Sequence, residues 1–332
     1  MEDMKNIAMI FRGKDRHEMS IETLFGCIIP ILKQKNEICS YFMPYGHHNK
    51  IGNIIKNLSF AHKIKADVYH ITGEVYIAAC VTPKDKTIIT MHDYVNLEMF
   101  SGPKKFLSWL LWDYIPLKRC RYVACISQKV CEETLARFPF TKDKIVYIPN
   151  AISADYTYTP NEFNCDKPII LAMGTRSNKN LENIVRAIKG IRCKLHIIGR
   201  LSDEQKNLLV KNEVEFENAY NVADEEILNA YKNCDMVCFP SLYEGFGRPI
   251  IEGQAIGRPV ITSNMEPMRS VAGEGALLVD PNDCGQIRNA VIEIIENDKT
   301  RKRLVAAGLE NVKQYSAESV AGKYTELYES IE

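Results

Sequence analysis

The chain has 332 residues, is 46% hydrophobic and 25% charged, and balances 42 basic against 42 acidic side chains to a net charge of zero. Such a length and apolar content suit two packed cores rather than one. With no zinc-finger spacing and no RNA-binding signature, a nucleic-acid-binding protein is excluded. No stretch reaches the roughly 18 apolar residues of a membrane span. Met1 to Asn6 is polar and Ile7 to Phe11 is too short for the apolar core of a signal peptide.

Charge is unevenly spread: residues 1–150 carry 21 basic and 15 acidic side chains, residues 151–332 carry 21 and 27. The basic half suits an anionic membrane surface or a phosphorylated acceptor. The eleven cysteines are an odd number, scattered through apolar segments without a CxxC pair. Buried free thiols in a reducing cytoplasm follow, and Cys234 with Cys238 lacks the partners a metal site needs.

In chain order, strand-like runs at 7–11 (IAMIF), 67–71 (DVYHI), 87–91 (TIITM), 122–126 (YVACI) and 146–149 (VYIP) alternate with helical patterns. A second series follows at 169–174 (IILAMG), 194–199 (KLHIIG), 236–240 (MVCFP), 259–263 (PVITS) and 276–280 (ALLVD). The alternation predicts an α/β protein of two doubly wound domains with parallel sheets, and ligand sites at the carboxyl ends of strands. Residues 153–168 are polar, contain Pro160 and have neither period, so they are expected to be a linker.

Candidate site residues sit where strands end. Arg12 and Gly13 follow the first strand, as an acceptor or phosphate loop would, and His70 and His92 lie at the ends of two later ones. The segment 103–122 (PKKFLSWLLWDYIPLKRCRY) holds Trp109 and Trp112 among Lys104, Lys105, Lys118, Arg119 and Arg121. Amphipathic aromatics flanked by cations suit peripheral contact with an anionic bilayer, and a core helix with solvated ends is the plainer alternative. In MGTRSNKNLENI, Gly174 turns the chain, and Arg176 and Lys179 bracket a helix expected to begin near Asn180 or Leu181. A diphosphate would find two cations and free N–H groups there.

The most restrictive stretch is SLYEGFGRPIIE, 241–252. Gly245 and Gly247 permit close backbone approach, and Pro249 fits a first helical position. Glu244 and Glu252 flank the turn, each able to accept paired hydroxyl hydrogen bonds, as a hexose and a ribose would supply. The chain contains no Asp-x-Asp pair to hold a divalent ion against a diphosphate, so neither metal nor cofactor is expected.

FPSLYEGFGRPIIEGQAIGRPVITSN resembles the C-terminal signature of family 4 glycosyltransferases, retaining GT-B enzymes with a Glu-x7-Glu motif. The segments 169–188, 87–93, 124–135 and 145–153 resemble that family's phosphate-binding, N-terminal and hinge signatures in the same order, so the likeness covers nearly the whole chain. The resemblance implies two Rossmann-like domains facing a central cleft. Residues 1–152, with a returning C-terminal helix at about 315–332, would bind the acceptor, and 169–314 the donor. It also implies catalytic roles for His92, Glu244, Lys179 and Arg176. The donor would be held by Gly174, Arg176, Lys179, Glu244, Gly245, Phe246, Gly247 and Glu252, with Arg12, Gly13 and His70 on the acceptor side. FRGKDRHEMS departs from the family in lacking a glycine-rich pair, and the loop at 174–180 is short.

The function so implied is metal-independent sugar transfer from a nucleoside-diphosphate-sugar to a glycan or lipid-linked hydroxyl. A cytoplasmic setting, on the inner face of a bacterial membrane during surface polysaccharide assembly, follows from the same likeness. A nucleotide-sugar epimerase on the same fold and a non-catalytic nucleotide-sugar-binding protein are the alternatives. An NAD-dependent oxidoreductase is disfavoured, because no GxGxxG follows the first strand.

Overall fold

A computed structural model describes residues 4–13, 20–45, 51–94 and 102–332, with the backbone alone at Ser20, Ile51, Pro103 and Lys104. The chain divides into two compact units, residues 1–151 with 316–332, and residues 152–315.

The first unit holds six parallel strands: β1 (Asn6–Phe11), β2 (Glu37–Phe42), β3 (Val68–Ile71), β4 (Thr87–Met91), β5 (Tyr122–Cys125) and β6 (Ile145–Tyr147). Their order across the sheet is β2-β1-β3-β4-β5-β6. The central strands are buried throughout because helices cover both faces, which removes the in/out alternation of a half-exposed sheet. The order reverses between β1 and β3, so a crevice is expected beyond the carboxyl ends of those two strands.

The C-terminal helix Ala317–Glu329 packs onto this sheet, burying Val320, Ala321, Tyr324, Leu327 and Tyr328 in one cluster with Ile7, Met9 and Phe25. Its docking explains His70. That side chain is 0% exposed, with Nδ1 2.7 Å from the Tyr328 hydroxyl and Nε2 2.7 Å from Thr90 Oγ1. The expected acceptor-side histidine is therefore a core residue, satisfied at both nitrogens and packed edge-on against Phe25. Burial, with a smaller push from His92, lowers its pKa from 6.5 to about 3.

A pH dependence of stability follows. Above pH 6.5 the ring is neutral whether the chain is folded or not, and its contribution is complete. Between pH 6.5 and about 3 only the unfolded chain takes up the proton, so stability is lost progressively as the pH falls. Urea midpoints at pH 7 and pH 4.5 should fall further apart in the wild type than in His70→Gln. Equal pH sensitivity in the two proteins would contradict the assignment.

The second unit repeats the architecture with β7 (Ile169–Met173), β8 (Lys194–Ile198), β9 (Glu215–Ala219), β10 (Met236–Phe239), β11 (Val260–Ser263) and β12 (Ala276–Val279). All pairings are parallel, in the order β12-β11-β10-β7-β8-β9. Counted within the unit this is the dinucleotide-fold order, reversing between its first and fourth strands, β7 and β10.

Residues 153–168, expected to be a linker, instead belong to this unit and pack on it. Asp235 accepts from the Asn164 and Ile169 backbone N–H groups at 2.9 and 2.7 Å, and Tyr156 meets Tyr231 edge to face. The polar composition of the segment reflects these hydrogen bonds, which replace a regular backbone ladder.

Candidate functional site

The switch point of the second sheet is where its candidate residues meet. β7 ends at Met173, and Gly174 turns with φ +90°, a conformation open to glycine. A Cβ at position 174 would come within 2.8 Å of Lys179 Cγ, so the lysine stem lies directly across the glycine. Residues 177–179 form a single 3-10 turn, and Asn180, buried at φ +61°, starts the helix Leu181–Ala187. Asn180 Nδ2 donates to the carbonyls of Pro240 and Pro281, pinning the loop to the ends of two other strands.

The loop after β10 is zipped onto this one. Leu242 N–H donates to the Asn178 carbonyl at 2.8 Å, and Asn178 Nδ2 donates to the Tyr243 carbonyl at 3.0 Å. Lys179 Nζ then reaches Glu244 Oε1 at 2.6 Å and lies 5.0 Å from the Phe239 ring centroid. Cation, carboxylate and aromatic face converge at one point between β7 and β10. Both charges remain partly open to solvent, so a ligand can exchange with the pair.

Beyond Glu244, Gly247 adopts φ +105° and caps the helix Arg248–Ile256, with Pro249 in its second rather than its first position. In its first turn Pro249 has no N–H and Ile250 N–H donates to the Gly247 carbonyl at 3.0 Å, so the helix favours an anion near its start chiefly through its dipole. Phe246 is buried edge-on against Tyr315, so only its backbone and those of Gly245 and Gly247 are available to a ligand. Glu252 lies in the second helical turn, not the first. It is 6% exposed: Oε2 accepts from the Tyr231 hydroxyl at 2.7 Å and Oε1 pairs with Arg248 at 3.0 Å. Each oxygen keeps a second lone pair for a hydroxyl. Tyr156 packs on Tyr231, and burial raises its hydroxyl well above the ordinary range, so it stays protonated.

Arg176 does not join this cluster. Its side chain is exposed and makes no ion pair among the described residues. Asn178, Tyr231 and Arg248 were not singled out by the sequence, and Asn180 only as a helix start. An asparagine immediately before a helical run was the available signal for Asn180, through its tolerance of positive φ.

In the first unit, Arg12 is 4% exposed and bound by Glu22 at 3.1 Å and Glu74 at 2.9 Å. Burial opposes its charge, but Glu74 and then Glu22 outweigh it and hold the pKa above its usual value. A guanidinium so neutralised is a clasp between the ends of β1 and β3, where the sequence suggested an acceptor-side cation. Gly13 is buried beside it. His92 follows β4, and its Nε2–H donates to the Thr72 carbonyl at 2.7 Å, leaving Nδ1 as the acceptor nitrogen. Burial lowers its pKa, so the ring is neutral at pH 7. Ser127 caps the helix Gln128–Arg137 by accepting from Val130 N–H, which accounts for its position.

In the segment 103–122, Lys118 lies over the Tyr114 and Phe140 rings and Arg119 donates to the Ala79 carbonyl. The Lys104 side chain lies outside the described residues. Among the described residues no helix is long and apolar enough to cross a membrane.

Two nucleotide-type parallel sheets, one carrying a cation, two carboxylates and a helix N-terminus about its switch point, offer groups chemically able to bind an anion that bears hydroxyls. Residues 159–311 match the family of glycosyl transferases group 1, and residues 33–156 match glycosyltransferase family 4. Together these matches support a group 1 glycosyltransferase of the GT-B fold. O-antigen chain mannosyltransferase B of Escherichia coli is 34% identical over 110 residues, covering 33% of this chain and 29% of that protein. O-antigen chain mannosyltransferase RfbU of Salmonella typhimurium is 27% identical over 220 residues, covering 62% and 60%. The chain thus spans less than two thirds of the length of these relatives. The crystal structure of Anabaena HepE in complex with UDP and glucose matches with a TM-score of 0.75 over 98% of this chain and 100% of that one, at 14% identity, a likeness of fold.

Proposed function

We propose that the chain transfers a sugar from a nucleoside-diphosphate-sugar to a glycan or lipid-linked hydroxyl, with retention of anomeric configuration and without a metal. The observation that carries this reading is the Lys179–Glu244 pair, set beside the helix N-terminus at the β7/β10 switch point, with Glu252 eight residues further on. Lys179 neutralises the leaving diphosphate. Glu244 and the backbone of 245–247 take sugar hydroxyls, and Glu252 takes the ribose. The C1–O bond to the diphosphate breaks, the acceptor oxygen bonds to C1 on the same face, and the acceptor proton passes to a leaving phosphate oxygen. The protein's share is electrostatic: fixed donors placed where negative charge develops.

The acceptor is assigned to the first unit, where neutral His92 stands at the end of β4. The relatives, named as O-antigen chain mannosyltransferases, support a role in bacterial surface polysaccharide assembly, and the work is assigned to the cytoplasmic face of the membrane as part of the same proposal. Exposed Phe106 and Leu107 beside Lys105 support peripheral membrane contact through 103–122.

The test is product analysis with an α-linked nucleoside-diphosphate hexose and a lipid-linked acceptor in EDTA. The expected result is an α-linked product, read from the anomeric coupling constant, together with one free nucleoside diphosphate per transfer. A β-linked product would refute retention, and an isomerised donor formed without acceptor would favour an epimerase.

A further inference from the structure

The helix Gly102–Ser108 runs into a π-helical stretch, Trp109–Tyr114, before Ile115–Lys118. The wider turn shifts the register of the side chains that follow, a distortion frequent at functional sites. Here it gathers aromatic rings. Trp109 lies 4.9 Å from Tyr114, 5.7 Å from Phe106 and nearly parallel to Phe138 at 6.2 Å. The series leads from buried Tyr94 and Phe138 out to Phe106, 61% exposed, with Leu107, 54% exposed, next to it.

At the outer end is an open depression of about 300 Å³ lined by Gly102, Lys105, Phe106, Trp109 and Arg137. This is the lower bound of small-molecule pockets. Among the described residues its lining combines two cations with two aromatic faces and no carboxylate. The Arg137 guanidinium is held over the Tyr94 ring at 5.1 Å, which orders it at low cost. Asp113, buried on the π-helical stretch, also faces Arg137. Burial pushes its carboxyl up to about 7 against that cation, so at neutral pH it offsets only part of the positive charge.

We propose that this depression is a subsite for a lipid-borne phosphate, with Lys105 and Arg137 binding the phosphate oxygens and Trp109, Phe106 and Leu107 receiving the first part of the apolar chain. The inference rests on the transferase reading above and names the charged group of its acceptor. Charge complementarity selects an anion. The exposed aromatic and leucine side chains select one that carries a hydrocarbon stem rather than a free ion. A concave site of this size takes one headgroup, whereas general adhesion to a bilayer needs only the exposed rim.

Trp109 and Trp112 are the only tryptophans in the chain, so intrinsic fluorescence reports on this segment directly. Geranyl monophosphate should change the emission saturably. Inorganic phosphate and geraniol should bind at least tenfold more weakly. The exposed pair Lys105→Gln with Arg137→Gln should weaken geranyl monophosphate binding at least tenfold in a protein that still unfolds cooperatively and still binds nucleoside diphosphate. Equal binding of geraniol, or an unaltered response in the double variant, would overturn the proposal. So would a response to phosphatidylglycerol-containing vesicles with none to geranyl monophosphate, which assigns the patch to the bilayer surface. Nucleoside diphosphate binding on the same samples separates the two levels of the argument. If it persists while geranyl monophosphate fails, only the subsite falls; if it is absent, the transferase reading falls.

Discussion

Lys179→Ala is expected to lower kcat by about 10²–10³-fold at saturating donor, the usual cost of removing one fixed donor from a developing negative charge. The substitution leaves the partly buried Glu244 carboxylate without its 2.6 Å partner and removes the contact with Phe239. A stability loss of about 1–3 kcal/mol should accompany it. Because the two side chains touch, Lys179→Ala and Glu244→Gln should be non-additive in a double-mutant cycle. The balance of the two effects decides the role: a structural ion pair would lose stability with kcat nearly unaltered. A kcat within threefold of the wild type would therefore remove Lys179 from the chemistry.

Glu252→Ala should act on binding first. Two hydroxyl hydrogen bonds to a buried carboxylate contribute about 1.5–3 kcal/mol each, and every 1.4 kcal/mol is tenfold in affinity. A nucleoside diphosphate should accordingly bind the variant at least 100-fold more weakly by calorimetry. The buried Tyr231 hydroxyl loses its acceptor and Arg248 its counter-charge, so the urea midpoint should fall as well. Tyr231→Phe provides the contrast, since it removes one hydrogen bond but leaves the carboxylate for the ribose. Its nucleotide affinity should stay within tenfold of the wild type. Equal loss in the two variants would mean that Glu252 supports the helix rather than the ligand.

Much of the fold was legible because both sheets are parallel and covered on both faces. Their central strands are short apolar runs bounded by loops, a signal that needs no tertiary knowledge. The strands that escaped are edges. β2 (EICSYF) exposes Glu37 and Ser40 and β9 (EFENA) exposes Glu215 and Glu217 among buried and half-buried residues, and this pattern is ambiguous in isolation. The Glu244 to Glu252 stretch was legible for a different reason. Glycine, proline and carboxylate constraints all fall within twelve consecutive residues, so strand end, turn and helix start are fixed locally.

Where partners are remote in sequence, the reading failed. His70 shares its strand-end position with cleft residues, but its environment is decided by Tyr328, 258 positions away. Arg12 reads as a free loop cation until Glu74 is brought to it across β1 and β3. The polar stretch after Asn150 reads as a tether because its hydrogen bonds to Asp235 lie some seventy residues ahead. The same limit hid Tyr231, which is separated from Glu252 by a strand and a loop. Local pattern marked the candidate site, and long-range burial decides which of its neighbours are open to solvent.

The central claim is that the β7/β10 switch point holds a nucleoside diphosphate. A thermal-shift panel of UDP, GDP, ADP and CMP in EDTA, on the wild type and Glu252→Ala, tests it most directly. A ligand at about 100 times its Kd adds ~2.7 kcal/mol to the folded state. The account predicts that one nucleoside diphosphate raises the wild-type midpoint without metal and does so much less in the variant. No shift with any of them, or an equal shift in both proteins, would contradict it.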